Sequence, residues 1–196
     1  SIAGGVEKSV RRALEDGCET FQIFTGPPAR WNVAPLAQGA SALFRETLRA
    51  SGMASVLIHG TYLVNPASPD PDLWVRSLFT LREECTLCRD LGVDGLVIHP
   101  GSGKGAPEDE SVRRAAGMIE EVLSDPGDGP GILLENTAGS GTALGRTFAQ
   151  LNGIRELIRP RDRVQYCLDT AHAFAAGYDL RNEMAVQQTL QRIDDE

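Results

Sequence analysis

All three histidines of the 196-residue chain stand at the end of a short apolar run or just beyond one. His59 closes SVLIH (55–59) and His99 closes GLVIH (95–99). Two carboxylates are placed in the same way. Glu135 ends GILLE (131–135), and Asp169 ends VQYCLD (164–169) with His172 three residues later. A lone histidine behind an apolar run is ordinarily a structural residue. Four runs ending in donor side chains, with every histidine used, point instead to a shared site. Imidazole nitrogens mixed with carboxylate oxygens suit Zn²⁺, Mn²⁺ or Fe²⁺. No thiolate joins the set, which argues against a purely structural zinc site. A carboxylate such as Glu135 can bridge two cations about 3.5–4 Å apart, an arrangement used to hydrolyse phosphoesters.

Other candidates carry less. Cys85 and Cys88 form a CxxC, but they recur with Leu78 and Leu81 on one apolar helix face and read as core. HPGSGKG (99–105) is similar to a phosphate loop, yet Lys104 is followed by Gly105 where Ser or Thr is required. It reads as a flexible loop beside the site. ENTAGSGT (135–142) is a second glycine-rich loop suited to close approach by a ligand. FTGPPARW (24–31) offers Arg30 and Trp31 after a strand, and Tyr62 follows His59. Singly these are ordinary loop residues; together they could supply aromatic and cationic contacts to a nucleic acid.

The apolar runs at 20–24, 55–59, 95–99, 131–135 and 164–169 are continuous rather than alternating, as in parallel strands buried on both faces. Helical patterns lie between them at 36–50, 71–91, 108–124 and 144–159, with one more before the first run (6–15) and one after the last (181–193). Strand starts recur roughly every 33–40 residues, and strict βα alternation at that pitch implies a parallel sheet. Five strands with six helices fit an open doubly wound sheet. They equally fit a (βα)8 barrel lacking its first strand and last two units, since a whole barrel takes about 250 residues. If it is a barrel, the donor residues at the carboxyl ends of different strands converge on its functional face.

Composition sets the outer limits. With 41% hydrophobic and 23% charged residues, the chain is expected to form one globular domain over 1–196. Its apolar runs are too short to span a bilayer, and its first residues read as a loop entering a helix rather than as a signal peptide. Four cysteines without tight spacing suggest a reducing, cytoplasmic setting. A net charge of −8 argues against a generally basic nucleic-acid binder and is compatible with a carboxylate-rich cation site.

SIAGGVEKSVRRA, FQIFTGPPARW, IHGTYLVNPASP, LVIHPGSGKG, LLENTAGSGTALG and CLDTAHAFAAGYDLR, in this order, resemble endonuclease IV, the metal-dependent abasic-site endonucleases of base-excision repair. ENTAGSG and LDTAHAFAAGYDL are the most specific of these strings. The resemblance implies a (βα)8 TIM barrel with three metals, usually zinc, acting as a monomer on double-stranded DNA with abasic sites. His59 and His99 would hold the first ion, Glu135 would bridge it to a second and orient the nucleophile, Asp169 would hold the second and His172 the third. Tyr62 and Arg30 fall in loops that approach the lesion. The implied reaction is hydrolysis of the phosphodiester 5′ to the abasic site. Family members add ligands from strands not among these 196 residues. The chain therefore reads as a fragment, expected to be poorly stable and inactive until completed. A divalent-metal sugar isomerase or epimerase on the same barrel is the alternative enzyme. It would need a catalytic lysine or a second acid–base carboxylate, and the two lysines, Lys8 and Lys104, stand away from strand ends. A metal-binding barrel remnant is the alternative without activity.

Overall fold

The computed structural model describes residues 1–31, 33, 35–124 and 129–196. Five strands, β1 (Thr20–Ile23), β2 (Ser55–His59), β3 (Gly95–Ile98), β4 (Gly131–Glu135) and β5 (Val164–Cys167), form one sheet. Every neighbouring pair is parallel and the spatial order is β1-β2-β3-β4-β5. A doubly wound sheet would reverse its order at a switch point. Here each strand lies beside its predecessor, as in the wall of a TIM barrel.

Helices α1 (Glu7–Glu15), α2 (Ala40–Ser51), α3 (Pro71–Leu91), α4 (Glu108–Leu123) and α5 (Phe148–Leu157) follow the same sequential logic. Each packs on the next along the outside of the sheet. The core fills the space between these layers: Val56, Ile58, Leu96, Ile132, Leu134 and Val164 from the strands meet Leu81, Cys88, Leu91, Met118, Ile119, Leu151 and Ile154 from the helices. Cys85 and Cys88 are buried there, and burial pushes the Cys88 thiol far above its usual range, so this pair is core. The central strand β3 is buried at all four positions, whereas β5 exposes Gln165 and Tyr166 at the edge of the described sheet.

Sequence expectation and structure part at three helices. The expected helix at 36–50 begins only at Ala40, because Gly39 before it takes φ 79°. The one at 144–159 begins at Phe148. Thr147 caps it, its side chain accepting from the Gln150 N–H, and Gly145 just upstream is left-handed. A short helix that the pattern did not suggest, α6 (Thr170–Ala176), separates β5 from α7 (Glu183–Asp195). It opens on Asp169, whose Oδ1 accepts the His172 N–H at 2.7 Å, and stops at Gly177, φ 105°. The three-residue spacing of Asp169 and His172 is thus the spacing of a helix cap and the N–H it satisfies.

Candidate metal centre

Parallel strands in sequential order bring all five exits to one rim. His59 is the last residue of β2 and Glu135 of β4. His99 directly follows β3, and Ile98 pairs with Leu134 one step before His99 and Glu135. Asp169 and His172 arrive through the first turn of α6. With Gln22, Phe24 and Tyr62, these five side chains line one cavity of about 350 Å³.

Glu135 is the hub. Its Oε2 lies 2.9 Å from His59 Nε2 and 3.0 Å from His99 Nε2, and its Oε1 lies 3.7 Å from His172 Nδ1. Asp169 Oδ2 is also 3.7 Å from His172 Nδ1. The donor atoms fall into two groups, each within 4.8 Å: His59, His99 and Glu135, then Glu135, Asp169 and His172. Glu135 belongs to both, as a bridging carboxylate must. The geometry groups His172, expected at a separate third ion, with Asp169 and Glu135.

Hydrogen bonds to backbone carbonyls fix which ring nitrogen of His59 and His172 carries a proton and which keeps a lone pair. His59 Nδ1 donates to the Gly60 carbonyl at 2.7 Å, so Nε2 is the nitrogen that meets Glu135 Oε2, at 2.9 Å. His172 Nδ1 donates to the Asn136 carbonyl at 3.0 Å, freeing Nε2. In a neutral His59 ring, the Nε2 lone pair would confront a carboxylate oxygen at 2.9 Å, a repulsion that only a proton or a cation between them relieves. His99 Nε2 is buried and sits 3.0 Å from the same oxygen without the alignment of a hydrogen bond. Nitrogen and oxygen lie side by side, as ligands of a third centre do. The donor set therefore fits a divalent cation of the zinc, manganese or iron type.

Electrostatics agree. Burial would raise the Glu135 carboxyl, but the hydrogen bond from His59, the close approach of His99 and the charges of both outweigh it and hold the group down at about 2. His59 is raised: burial opposes its charge, while the bonds to Glu135 and Gly60 and the charges of Glu135 and Glu84 favour it. Cys167, paired with Glu135 in the sheet, is pushed to about 11, first by burial and then by Glu135 and Asp169. Its thiol stays protonated beside the site.

Around this centre the exit loops are stitched into a collar. Thr61 Oγ1 and Tyr62 N–H both donate to the Pro28 carbonyl, joining the β1 and β2 loops. Asn65 clamps Ser102 from both sides, accepting its N–H at 2.7 Å and donating to its carbonyl at 3.0 Å. Ser102 bridges Ala143, and the Leu144 N–H reaches the Gly101 carbonyl. Asn136 accepts the Asp169 N–H at 2.7 Å and donates to the Asp169 carbonyl at 3.0 Å. The 99–105 loop, expected to be loose, is thus bonded on both flanks. Gly101 is required there: at φ 91°, a β-carbon would meet Asn65 Oδ1 at 2.2 Å.

The two expected nucleic-acid contacts lie on this rim. Tyr62 is 56% exposed and stacks 5.9 Å from His99, its ring tilted by 11°. Arg30 is exposed on the β1 loop, near Phe24, His59 and Thr61. Trp31 instead turns inward, packed on the core with the Arg76 guanidinium 4.4 Å above its ring. Sequence reasoning missed the two asparagine clamps and the buried Glu84 under His59. Asn136 follows Glu135 directly in the sequence, a signal that could have been read. Glu84 sits inside a helix with no local mark.

A family model described as a xylose isomerase-like TIM barrel matches residues 10–195. A probable endonuclease 4 from Methanoculleus marisnigri is 42% identical over 196 residues, covering all of this chain and 70% of the relative. The chain belongs to the endonuclease 4 family. A second family member, from Methanosphaerula palustris, is 41% identical over 198 residues and is covered to 69%. The crystal structure of endonuclease IV from Thermus thermophilus superposes with a TM-score of 0.83 at 34% identity, over 99% of this chain and 68% of that one. An L-ribulose 3-epimerase, at 18% identity and a TM-score of 0.66, shares the fold alone. The strings read as endonuclease IV motifs thus lie in an endonuclease 4 chain, and the expected barrel wall is present.

Proposed function

We propose that this endonuclease 4 chain carries the metal centre of an endonuclease that cuts the DNA phosphodiester 5′ to an abasic site. The observation that supports this best is the position of Glu135, common to two donor groups on the exit rim. His59, His99 and Glu135 would hold one ion, and Glu135 and Asp169 a second. His172 Nε2, freed by the Asn136 carbonyl, would serve the second or a third. Zinc is the proposed ion, with manganese and iron accepted by the same donors. Bound divalent cations supply an activated water and neutralise charge on the phosphoryl group.

The chain's own residues do the rest. Glu135 holds the two donor groups in register and accepts protons poorly, because its histidine neighbours keep it ionised. Tyr62 offers an exposed aromatic face next to His99, suited to stack where a base is missing. Exposed Arg30, Lys104 and Arg146 lie on three of the exit loops and offer phosphate contacts on a chain of net charge −8. A cleft of about 440 Å³, lined by Tyr62, His99, Lys104, Gly139 and His172 among others, continues from the metal rim and gives the strand a path.

The test is incision of a labelled duplex carrying one abasic residue by metal-loaded protein in which the barrel is complete. The expected product is a single nick 5′ to that residue with a 3′-hydroxyl. Equal cleavage of intact duplex would refute the abasic reading, and cleavage undiminished by a chelator would refute the metal reading.

A further inference from the structure

Beneath the rim, on the helix side of β2, Glu84 of α3 is buried at 3% exposure. Its Oε1 accepts the Thr61 N–H at 2.9 Å. Its Oε2 has no hydrogen-bond partner among the described residues. A buried carboxylate with one oxygen unmatched is expensive to keep, so its position calls for a reason.

Thr61 N–H belongs to the same peptide group as the Gly60 carbonyl, and that carbonyl accepts from His59 Nδ1 at 2.7 Å. Carboxylate and imidazole therefore grip opposite ends of one amide. Burial pushes the Glu84 carboxyl up to about 7, against the Thr61 N–H bond and the charge of His59, so its charge is present above that pH. That negative charge at the N–H end polarises the amide and makes its oxygen a stronger acceptor, because consecutive hydrogen bonds reinforce one another. A stronger acceptor at Nδ1 makes Nε2 a better donor to a cation, as happens when a carboxylate bonds a metal-bound histidine directly.

We infer that Glu84 is a positioning residue for His59, acting through the Gly60–Thr61 peptide to orient the imidazole and raise its donor strength at Nε2. The inference rests on the reading of His59 as a metal ligand. Gly60 is part of the device: a β-carbon there would lie 3.0 Å from Glu84 Oε2 and 3.3 Å from Ile98 Cγ2, pressing the carboxylate away. The peptide relay also differs from a plain helix-to-loop tether. A tether needs only an acceptor for Thr61, which an amide supplies; the relay needs the charge.

Glu84→Gln in the full chain separates the two. At about pH 8, above the raised value of Glu84, it keeps an oxygen for Thr61 and removes the charge. The expected result is Co²⁺ or Zn²⁺ affinity at the His59 group weakened by about tenfold, the lower end for such partners. The His59 Nδ1 proton should also move upfield in the NMR spectrum, with or without metal. Glu46→Gln, on an exposed stretch of α2, should change neither. Metal affinity within about twofold of wild type together with an unmoved Nδ1 proton overturns the inference. If Glu84→Gln does not fold, the wild-type spectrum decides: a Nδ1 proton without the downfield shift of a strong hydrogen bond overturns it. Wild-type protein that takes up no metal refutes the metal centre itself, and the Nδ1 comparison still reports on Glu84.

Discussion

Replacing Glu135 with Gln should empty both donor groups at once. The substitution keeps shape and volume but exchanges a carboxylate oxygen, 2.9 Å and 3.0 Å from two imidazole nitrogens, for a neutral amide. Losing an outer partner of a metal ligand costs about 10–100-fold in affinity. Losing the charged ligand itself should therefore exceed about 100-fold, or about 2.8 kcal/mol. Because Glu135 is common to both groups, that loss applies to both. His99 is the internal control. It belongs to one group only, so His99→Ala should weaken that group and leave the Glu135–Asp169–His172 group within a few-fold. Calorimetric titration of chelator-stripped protein with Zn²⁺, with bound metal counted afterwards, reads both outcomes. The bridging argument fails if Glu135→Gln keeps either group within about tenfold of wild type, or if His99→Ala removes both.

Metal-free protein should lose stability in acid. Glu135 is held at about 2, below its ordinary 4.5. Its contribution is present above 4.5 and disappears as pH falls through about 2, at most about 3–4 kcal/mol. His59 is raised, so its contribution is full below its ordinary 6.5 and is lost as pH rises through its higher folded value. Urea midpoints of wild type and Glu135→Gln between about pH 2 and 8 check both signs, since the acid loss should be largely absent in the variant. Asn136→Ala removes both bonds to the Asp169 backbone and should lower stability by about 2 kcal/mol, or roughly 4–8 °C in Tm. A thermal melt unchanged by it would show that the clamp contributes nothing. Arg30→Ala and Lys104→Ala should each weaken duplex binding irrespective of sequence and reduce the slope of log K against log salt by about 1. An unchanged slope would place that side chain off the DNA path.

Strands and donor residues were legible because burial and chemistry coincide in short words. SVLIH and GILLE are β2 and β4 residue for residue, each with its donor in last place. Sheet order was not legible, because βα alternation is common to wound sheets and barrel walls and only pairing separates them. Helix starts at Ala40 and Phe148 were hidden by apolar residues upstream, such as Leu36 and Leu144, that pack on the core without being helical. α6 was hidden by the chemistry itself, since Asp169 read as a ligand and its capping role went unnoticed. Glu84 was illegible because its partners, Thr61 and His59, are more than twenty residues away, and nothing in REECTLC separates it from exposed Glu83.

Exit loops on barrel scaffolds are usually free to change independently, which lets one architecture host many chemistries. Here each loop is laced to the next by paired asparagine contacts, a bridge and carbonyl bonds. A lengthened turn after β3 would tug on the turns at either side. The mouth of this molecule can therefore drift only in concert, and grafting a single foreign segment into it should disturb ions two strands away.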